Sequence, residues 1–244
     1  LTTQQDTADQ SGAIHITKTN FTSPLELRTT AGTEFTGAVS IGTAGDQALI
    51  IHAKSAALDD GCTVKAGDIT LDLSDSMDLG KGTISGKTGS KITLVTPTDK
   101  DIYLADSSET ITNGYKIAYE TLNSTLTGYG DFTVNSGAGH SVFMQDGSLN
   151  KSGTINGAAG VKVTGDVAIT AANSTQPTAK TIEITGGSFS IAANKKLSIA
   201  GSDTALTTVN IHPTGDITLE DGAQITVAGK ADITMDSGSS HKVT

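Results

Sequence analysis

The feature that most constrains the fold is a run of evenly spaced apolar doublets near the carboxyl end of the chain. Doublets of the form apolar-x-apolar begin at Ile217, Ile225 and Ile233, eight residues apart each time, with Gly and polar residues between them. Because alternate residues of a strand point to the same side, each doublet predicts the inward face of a short strand. We interpret residues 215–235 as one full turn of a three-sided coil.

Similar doublets recur along most of the chain, as in Ile69-Thr70-Leu71 and Val161-Lys162-Val163. Strands this closely spaced do not fit a β-sandwich, whose turn signals come every 8 to 12 residues, or an up-and-down barrel, which needs longer strands and hairpin turns. No sustained helical periodicity is present. The sequence therefore predicts an all-β parallel β-solenoid of about ten coils, with roughly 22 to 24 residues per coil. A pair of β-sandwich domains split near 97–105 is the alternative.

The doublets also suggest the domain organisation. Residues 1–12 are polar and aperiodic and are interpreted as a tail or linker, and residues 13–244 as the solenoid. The pattern fails in two segments, 105–130 and 171–180, where we expect contact with a partner because functional loops leave a regular scaffold. Within the first segment, residues 111–122 fit either a short helix or two strands, and the turn dipeptide Asn113-Gly114 favours strands.

Composition and charge narrow the possible partners. The chain has 28 Gly, no Trp and 4% aromatic residues, which suits a narrow core only a few side chains across. Its formal net charge is −10 and Arg28 is its only arginine, so neither nucleic acid nor an anionic membrane surface is an expected partner. No stretch approaches 18 apolar residues, so no membrane insertion is expected in this segment. The start at Leu1, without a signal-like run, fits a mature or excised segment.

Candidate chemical residues are few and scattered. None of the histidines stands in a metal-spaced pair, and those within doublets, His15 and His212, should face solvent. Cys62 has no apparent His partner and is interpreted as a filler residue. We predict no catalytic, cofactor-binding or metal site, and no cofactor. The histidines are His15, His52, His140, His212 and His241.

Two acidic patterns need separate consideration. Asp72, Asp75 and Asp78 are three residues apart, and a cation site there is an alternative although the EF-hand spacing is not matched. A Gly-Asp-apolar-x-apolar motif recurs at irregular intervals. We expect its Gly to turn a corner and its Asp to cap free backbone N–H groups, because the strict calcium-binding nonapeptide is absent. The motif occupies residues 67–71, 130–134, 165–169 and 215–219.

The Gly-Asp-Ile-Thr-Leu style of strand, with corners such as Asp-Gly-Ala-Gln-Ile-Thr-Val, resembles the passenger regions of bacterial secreted adhesins. These include filamentous-haemagglutinin-like exoproteins and autotransporters, and residues 92–134 are the most similar part. The resemblance implies a right-handed β-helix outside the cell, used for adhesion or as a stalk.

We therefore expect a noncatalytic extracellular protein of the bacterial cell surface, a β-helical rod for adhesion or for surface and biofilm architecture. Its partner would be a host or neighbouring-cell surface, through glycan or protein, or other copies of itself. A self-assembling filament subunit is one alternative, because a solenoid has open strand edges at which copies could pair. A glycan-active hydrolase or lyase is another, since two carboxylates on adjacent coils suffice for hydrolysis; the single arginine and absent Trp argue against it.

Overall fold

The computed structural model describes residues 12–17, 19–171 and 179–238. It divides into two compact units, unit 1 with residues 1–96 and 116–130, and unit 2 with residues 97–115 and 131–244. Both are built almost entirely from short strands in parallel sheets, which confirms the predicted all-β class. The predicted tail up to residue 11 and most of the predicted loop, 172–178, lie outside the described residues.

Unit 1 begins with strands of two to five residues that follow one another closely. They are β1 (Ile14–Thr17), β2 (Asn20–Phe21), β3 (Leu25–Arg28), β4 (Gly32–Thr36), β5 (Ala38–Ile41), β6 (Leu49–Ala53), β7 (Ser55–Leu58), β8 (Thr63–Ala66), β9 (Ile69–Leu73), β10 (Ser76–Met77), β11 (Thr83–Gly86) and β12 (Ile92–Val95).

Strand pairing in unit 1 follows a period of three. The three main sheets run in the orders β1-β4-β7, β2-β5-β8-β11 and β3-β6-β9-β12, so that a strand pairs with the third strand further along the chain. We call each set of three consecutive strands, one from each sheet, a coil. The pairs are parallel, unlike those of the antiparallel β-sandwich alternative. This topology is compatible with a β-solenoid.

The register of these pairs places apolar residues in inward columns. Leu27 lies beside Ile51, and Ile51 beside Leu71, in three successive coils. Ile51 and Leu71 have no exposed surface, whereas Thr70 between the apolar residues of its doublet points outward and is partly exposed. The apolar-x-apolar pattern therefore arises, as predicted, because alternate residues of a strand face the core.

The first irregular segment contains both strand and helix. Beyond β13 (Ile102–Ala105), which belongs to unit 2, come β14 (Tyr115–Ala118), a π-helix (Thr121–Thr125) and β15 (Leu126–Thr127), which extends the sheet of β11. The prediction of strands alone was wrong for the π-helix. Its threonines bond to backbone groups of an earlier coil: Thr121 Oγ1 accepts from Leu79 N at 3.0 Å and Thr125 Oγ1 donates to Gly80 O at 3.3 Å. No local sequence pattern predicts such long-range bonds.

Unit 2 repeats the same architecture. After β13 its strands are β16 (Phe132–Asn135), β17 (Ser141–Met144), β18 (Gly147–Leu149), β19 (Gly153–Gly157), β20 (Gly160–Val163), β21 (Val167–Thr170), β22 (Lys180–Gly186), β23 (Phe189–Ile191), β24 (Lys196–Ala200), β25 (Thr207–Pro213), β26 (Ile217–Leu219), β27 (Gln224–Ala228) and β28 (Ala231–Met235).

Its sheets run in the orders β13-β17-β20-β23-β26, β18-β21-β24-β27 and β16-β19-β22-β25-β28, and the pairs are parallel. The doublets at Ile217, Ile225 and Ile233 lie in three different sheets, as predicted for one turn of a three-sided coil.

Backbone approaches backbone closely at a glycine column in unit 2. Gly157 and Gly186 are register partners in β19 and β22. Gly186 has a φ of 125°, and a Cβ built on it would overlap the carbonyl oxygen of Gly157. Only glycine combines that dihedral with that proximity.

We expect Leu71→Ala to lower the free energy of unfolding by about 2 to 5 kcal/mol, because it removes a fully buried side chain from a narrow core. The matched variant Thr70→Ala, on the outward side of the same strand, should change it by less than about 1 kcal/mol. Urea denaturation followed by circular dichroism measures both. Equal losses in the two variants would contradict the assigned inward and outward faces.

Candidate functional site

The outward faces of the sheets are where the chain can meet a partner, and polar side chains align there in columns. Thr36 Oγ1 donates to Thr17 Oγ1 in the preceding coil at 3.1 Å, and Asn210 Nδ2 donates to Glu183 Oε1 at 2.7 Å. We call these columns polar ladders. In these ladders, neighbouring side chains satisfy one another's hydrogen bonds. Further ladder bonds join Asn156 to Asn135 and Thr226 to Ser198.

Histidines on the outward faces pair with carboxylates of neighbouring coils. His15 Nδ1 lies 2.6 Å from Glu34 Oε2, and His52 Nδ1 lies 2.8 Å from Asp72 Oδ2. The other ring nitrogen of His52 faces Glu26 Oε1 at 3.7 Å. Sequence reasoning placed His15 toward solvent, and its side chain is 63% exposed, but it missed these partners because they lie about a coil away along the chain.

The remaining histidines are separate from these. His140 Nδ1 lies 3.5 Å from Asp101 Oδ1 in unit 2, and His212 is exposed, as predicted. His241 lies outside the described residues. Among the residues that the structure describes, no three His, Cys, Asp or Glu side chains are grouped so as to hold a metal ion.

The Asp72, Asp75 and Asp78 run does not converge on one point. Asp72 faces His52, while Asp78 Oδ2 accepts from Lys116 Nζ at 3.0 Å. Asp75 is exposed in the turn between β9 and β10. The carboxylates are thus divided among different partners, and the geometry gives no support to the alternative of a cation site.

Two of the four aspartates of the Gly-Asp motif, Asp68 and Asp166, cap backbone N–H groups of another coil. Asp68 Oδ1 accepts from Lys91 N at 2.9 Å, and Asp166 Oδ1 accepts from Lys196 N at 3.1 Å. The sequence predicted that these aspartates cap N–H groups, but it did not indicate how far along the chain those groups lie. These bonds fasten the corners of successive coils to one another.

An aromatic stack on the outward face of unit 2 is the feature that sequence reasoning overlooked. Tyr103 and Phe143 are register partners in β13 and β17, with ring centroids 4.7 Å apart and planes within 9°. Lys162, the next residue in the column, places its Nζ 5.3 Å from the Phe143 centroid. Both aromatic residues stand between the apolar residues of a doublet, a position that signals an outward side chain and could have revealed them.

The stack is not open to a sugar ring. One face of Phe143 meets Tyr103 and the other meets Lys162, while a Cβ on Gly114 would overlap the Tyr103 ring. Burial, followed by the charge of Asp101, raises the pKa of the Tyr103 phenol. With their faces occupied, the rings stabilise the stacking of coils and do not form the flat platform that glycan binding usually requires.

Burial also shifts the pKa of Lys151 and of Cys62. Burial lowers the pKa of Lys151, in the corner between β18 and β19, to about 8; Asp131 opposes this shift and Lys180 reinforces it. Burial, and secondarily Asp59, raises the pKa of the Cys62 thiol. A buried thiol with a raised pKa is a poor nucleophile, which agrees with its interpretation as a filler residue.

The coil of β26, β27 and β28 differs from the coils before it. No described strand pairs with the outer edges of these three strands. Val227 is 46% exposed, whereas its register partner Ile199 is 1% exposed. Similar partial exposure affects Leu219, Ile225, Ile233 and Met235 of this coil, whereas Ile217 is buried.

Lys151 should make stability depend on pH. The folded state releases its proton near pH 8, while the unfolded state keeps it until about pH 10.5, so the contribution of Lys151 to stability should rise between these values. Lys151→Met should reduce that rise, by up to about 3 kcal/mol, and raise stability at pH 7. Urea denaturation from pH 7 to 10.5 tests this, with Lys230→Met on an exposed corner as control. An unchanged rise in Lys151→Met would refute the assignment.

No protein-family model, curated protein or solved structure matches the chain. Among the described residues, no helix has the length and hydrophobicity that crossing a membrane requires.

Proposed function

We propose that this chain is a noncatalytic structural or adhesive protein of the bacterial cell surface, built as a right-handed, three-sided parallel β-helix of about ten coils. Its partners are a host or neighbouring-cell surface or other copies of itself. The observation that carries the proposal is the pairing of outward polar groups in ladders, as in Thr17–Thr36 and Glu183–Asn210. A regular face of this kind suits extended contact or a scaffold.

The distribution of charge also supports this choice over a glycan-active enzyme. Hydrolysis needs two carboxyl groups about 5 to 10 Å apart across one substrate bond. Here the carboxylate of Asp72 pairs with His52, and that of Asp78 pairs with Lys116. The aromatic stack of Tyr103 and Phe143 has its faces occupied. These groups therefore contribute to coil stacking.

Three measurements test the proposal. Antibodies against the chain should label intact cells of the source organism, and beads coated with the folded chain should adhere to cells while beads coated with heat-unfolded chain should not. The folded chain should release no reducing sugar from a glycan panel. Sugar release would favour the enzyme, and failure to label intact cells would contradict a surface location.

A filament subunit is the second candidate, and it is favoured by the edges of unit 2 with which no described strand pairs. Gln224 N donates to Lys195 O at 2.9 Å and Gly201 N donates to Ala228 O at 3.0 Å, so the alternate residues Ile225 and Val227 direct their backbone groups away from β24. A second copy adding a strand to this edge would satisfy those groups and cover the half-exposed apolar residues.

If copies pair at this edge, Val227→Lys should weaken association at least tenfold, because a charge on an edge strand opposes strand addition. Leu206→Lys is the matched control. Leu206 is 39% exposed in the wild type, but it precedes β25 and does not lie on the edge strand β27. Sedimentation velocity and electron microscopy at micromolar concentration measure assembly. Monomers in the wild type, or equal loss in both variants, would exclude this mode.

A further inference from the structure

A shallow groove of about 270 Å³ opens on the outward face of unit 1 across three successive coils. Its floor is formed by β2, β5 and β8, and one wall is the loop at 42–48 between β5 and β6. The volume falls just below the usual range for small-molecule sites, so the groove suits one small ligand unit. The polar side chains that line it are Asn20, Ser40, Thr43, Thr63 and Lys65.

The wall exists because one corner is longer than its neighbours. Residues 42–48 connect β5 to β6, whereas the equivalent corners of the adjacent coils are 22–24 and 67–68. Backbone bonds hold the long corner at both ends: Gly42 N donates to Phe21 O at 2.7 Å, and Gly67 N donates to Gln47 O at 2.7 Å. A ligand therefore meets a wall that is already in place, which lowers the entropic cost of binding.

The loop also positions Lys65, which is the only charged side chain lining the groove among the residues that the structure describes. A Cβ built on Gly45 would lie 2.6 Å from Cβ of Lys65, so the loop backbone packs directly on the stem of that lysine. The nearest loop carboxylate, Asp46, directs Oδ1 toward Gly42. Packing of the stem restrains the lysine, and its ammonium group carries the groove's positive charge on a chain whose net charge is −10.

One column of polar side chains in the groove differs from the polar ladders, because its members are not bonded to one another. Asn20, Ser40 and Lys65 are successive register partners, as ladder residues are. Ser40 Oγ donates instead to Gly42 O at 2.9 Å. Within the described ranges, no side-chain hydrogen bond or ion pair engages Asn20, Lys65 or Thr63. In the ladders at Thr17–Thr36 and Glu183–Asn210 the side chains bond to each other, whereas here the donors and acceptors stay available to a ligand.

We propose that this groove binds an anionic sugar residue. Several hydroxyl and amide groups that both donate and accept surround one ammonium, which matches a ligand with several hydroxyls and one negative charge. The anion is a carboxylate or a sulfate, since lysine binds both as a point charge. The inference concerns the groove alone and does not depend on the adhesive role.

The full chain, labelled with ¹⁵N, is titrated with sodium glucuronate, galactose 6-sulfate, glucose and inorganic phosphate, and amide shifts are followed by NMR. We expect glucuronate or galactose 6-sulfate to shift the amides of 38–45 and 63–65 at millimolar concentration. The response of these two sugars identifies the anion. The proposal is wrong if glucose or phosphate binds as tightly as glucuronate and galactose 6-sulfate do. It is also wrong if none of the four compounds shifts these amides.

Variants assign the binding to the groove. Lys65→Gln should weaken binding at least tenfold, and Ala38→Phe should abolish it by filling the groove without changing charge. Lys81→Gln, the same charge change on a corner that does not line the groove, should leave binding intact. Dispersed spectra confirm that each variant is folded. Equal weakening by Lys81→Gln would indicate nonspecific attraction and overturn the assignment. Loss of bead adhesion with intact sugar binding would count against the adhesive role alone.

Discussion

The hydrogen bonds between backbones of successive coils are the interaction on which the rest of the structure depends. Bonds such as Thr63 N to Gly37 O at 2.9 Å and Val161 N to Ser188 O at 2.8 Å join each coil to the next. They fix the register, and the register decides which side chains become neighbours. Since strand periodicity is two, a slip of one residue would exchange the inward and outward faces.

Once the register is fixed, the outward groups have partners at the spacing of neighbouring strands, about 4.8 Å. Histidine therefore meets carboxylate at His52 and Asp72, and aromatic ring meets aromatic ring at Tyr103 and Phe143. These side chains could be reactive or could bind a ligand if they were isolated, but here they pair or stack with each other. This engagement underlies the proposed noncatalytic role. At the groove around Lys65 and at the edges of β26 to β28, no described group supplies such a partner, and both proposals of binding rest on these places.

The sequence was informative where local chemistry suffices. The doublets predicted short strands and their inward residues, because alternation is a property of the backbone itself. Exposure of His15 and His212 followed from the same local pattern. The π-helix at Thr121–Thr125 was not predictable, since its threonines bond to residues more than 40 positions earlier. The groove was equally hidden, because its lysine and asparagine are 45 residues apart in the sequence and meet only through register.

The amino-acid sequence by itself determined the strand repeat, the narrow apolar core and the polar character of the outward faces. All three depend on periodicity and composition, which are local. Only the tertiary structure decided which coils pair, which carboxylate faces which cation, and where the loop at 42–48 forms a wall. These depend on bonds between residues about one coil apart, whose free energy is realised only after the chain has returned to the same face.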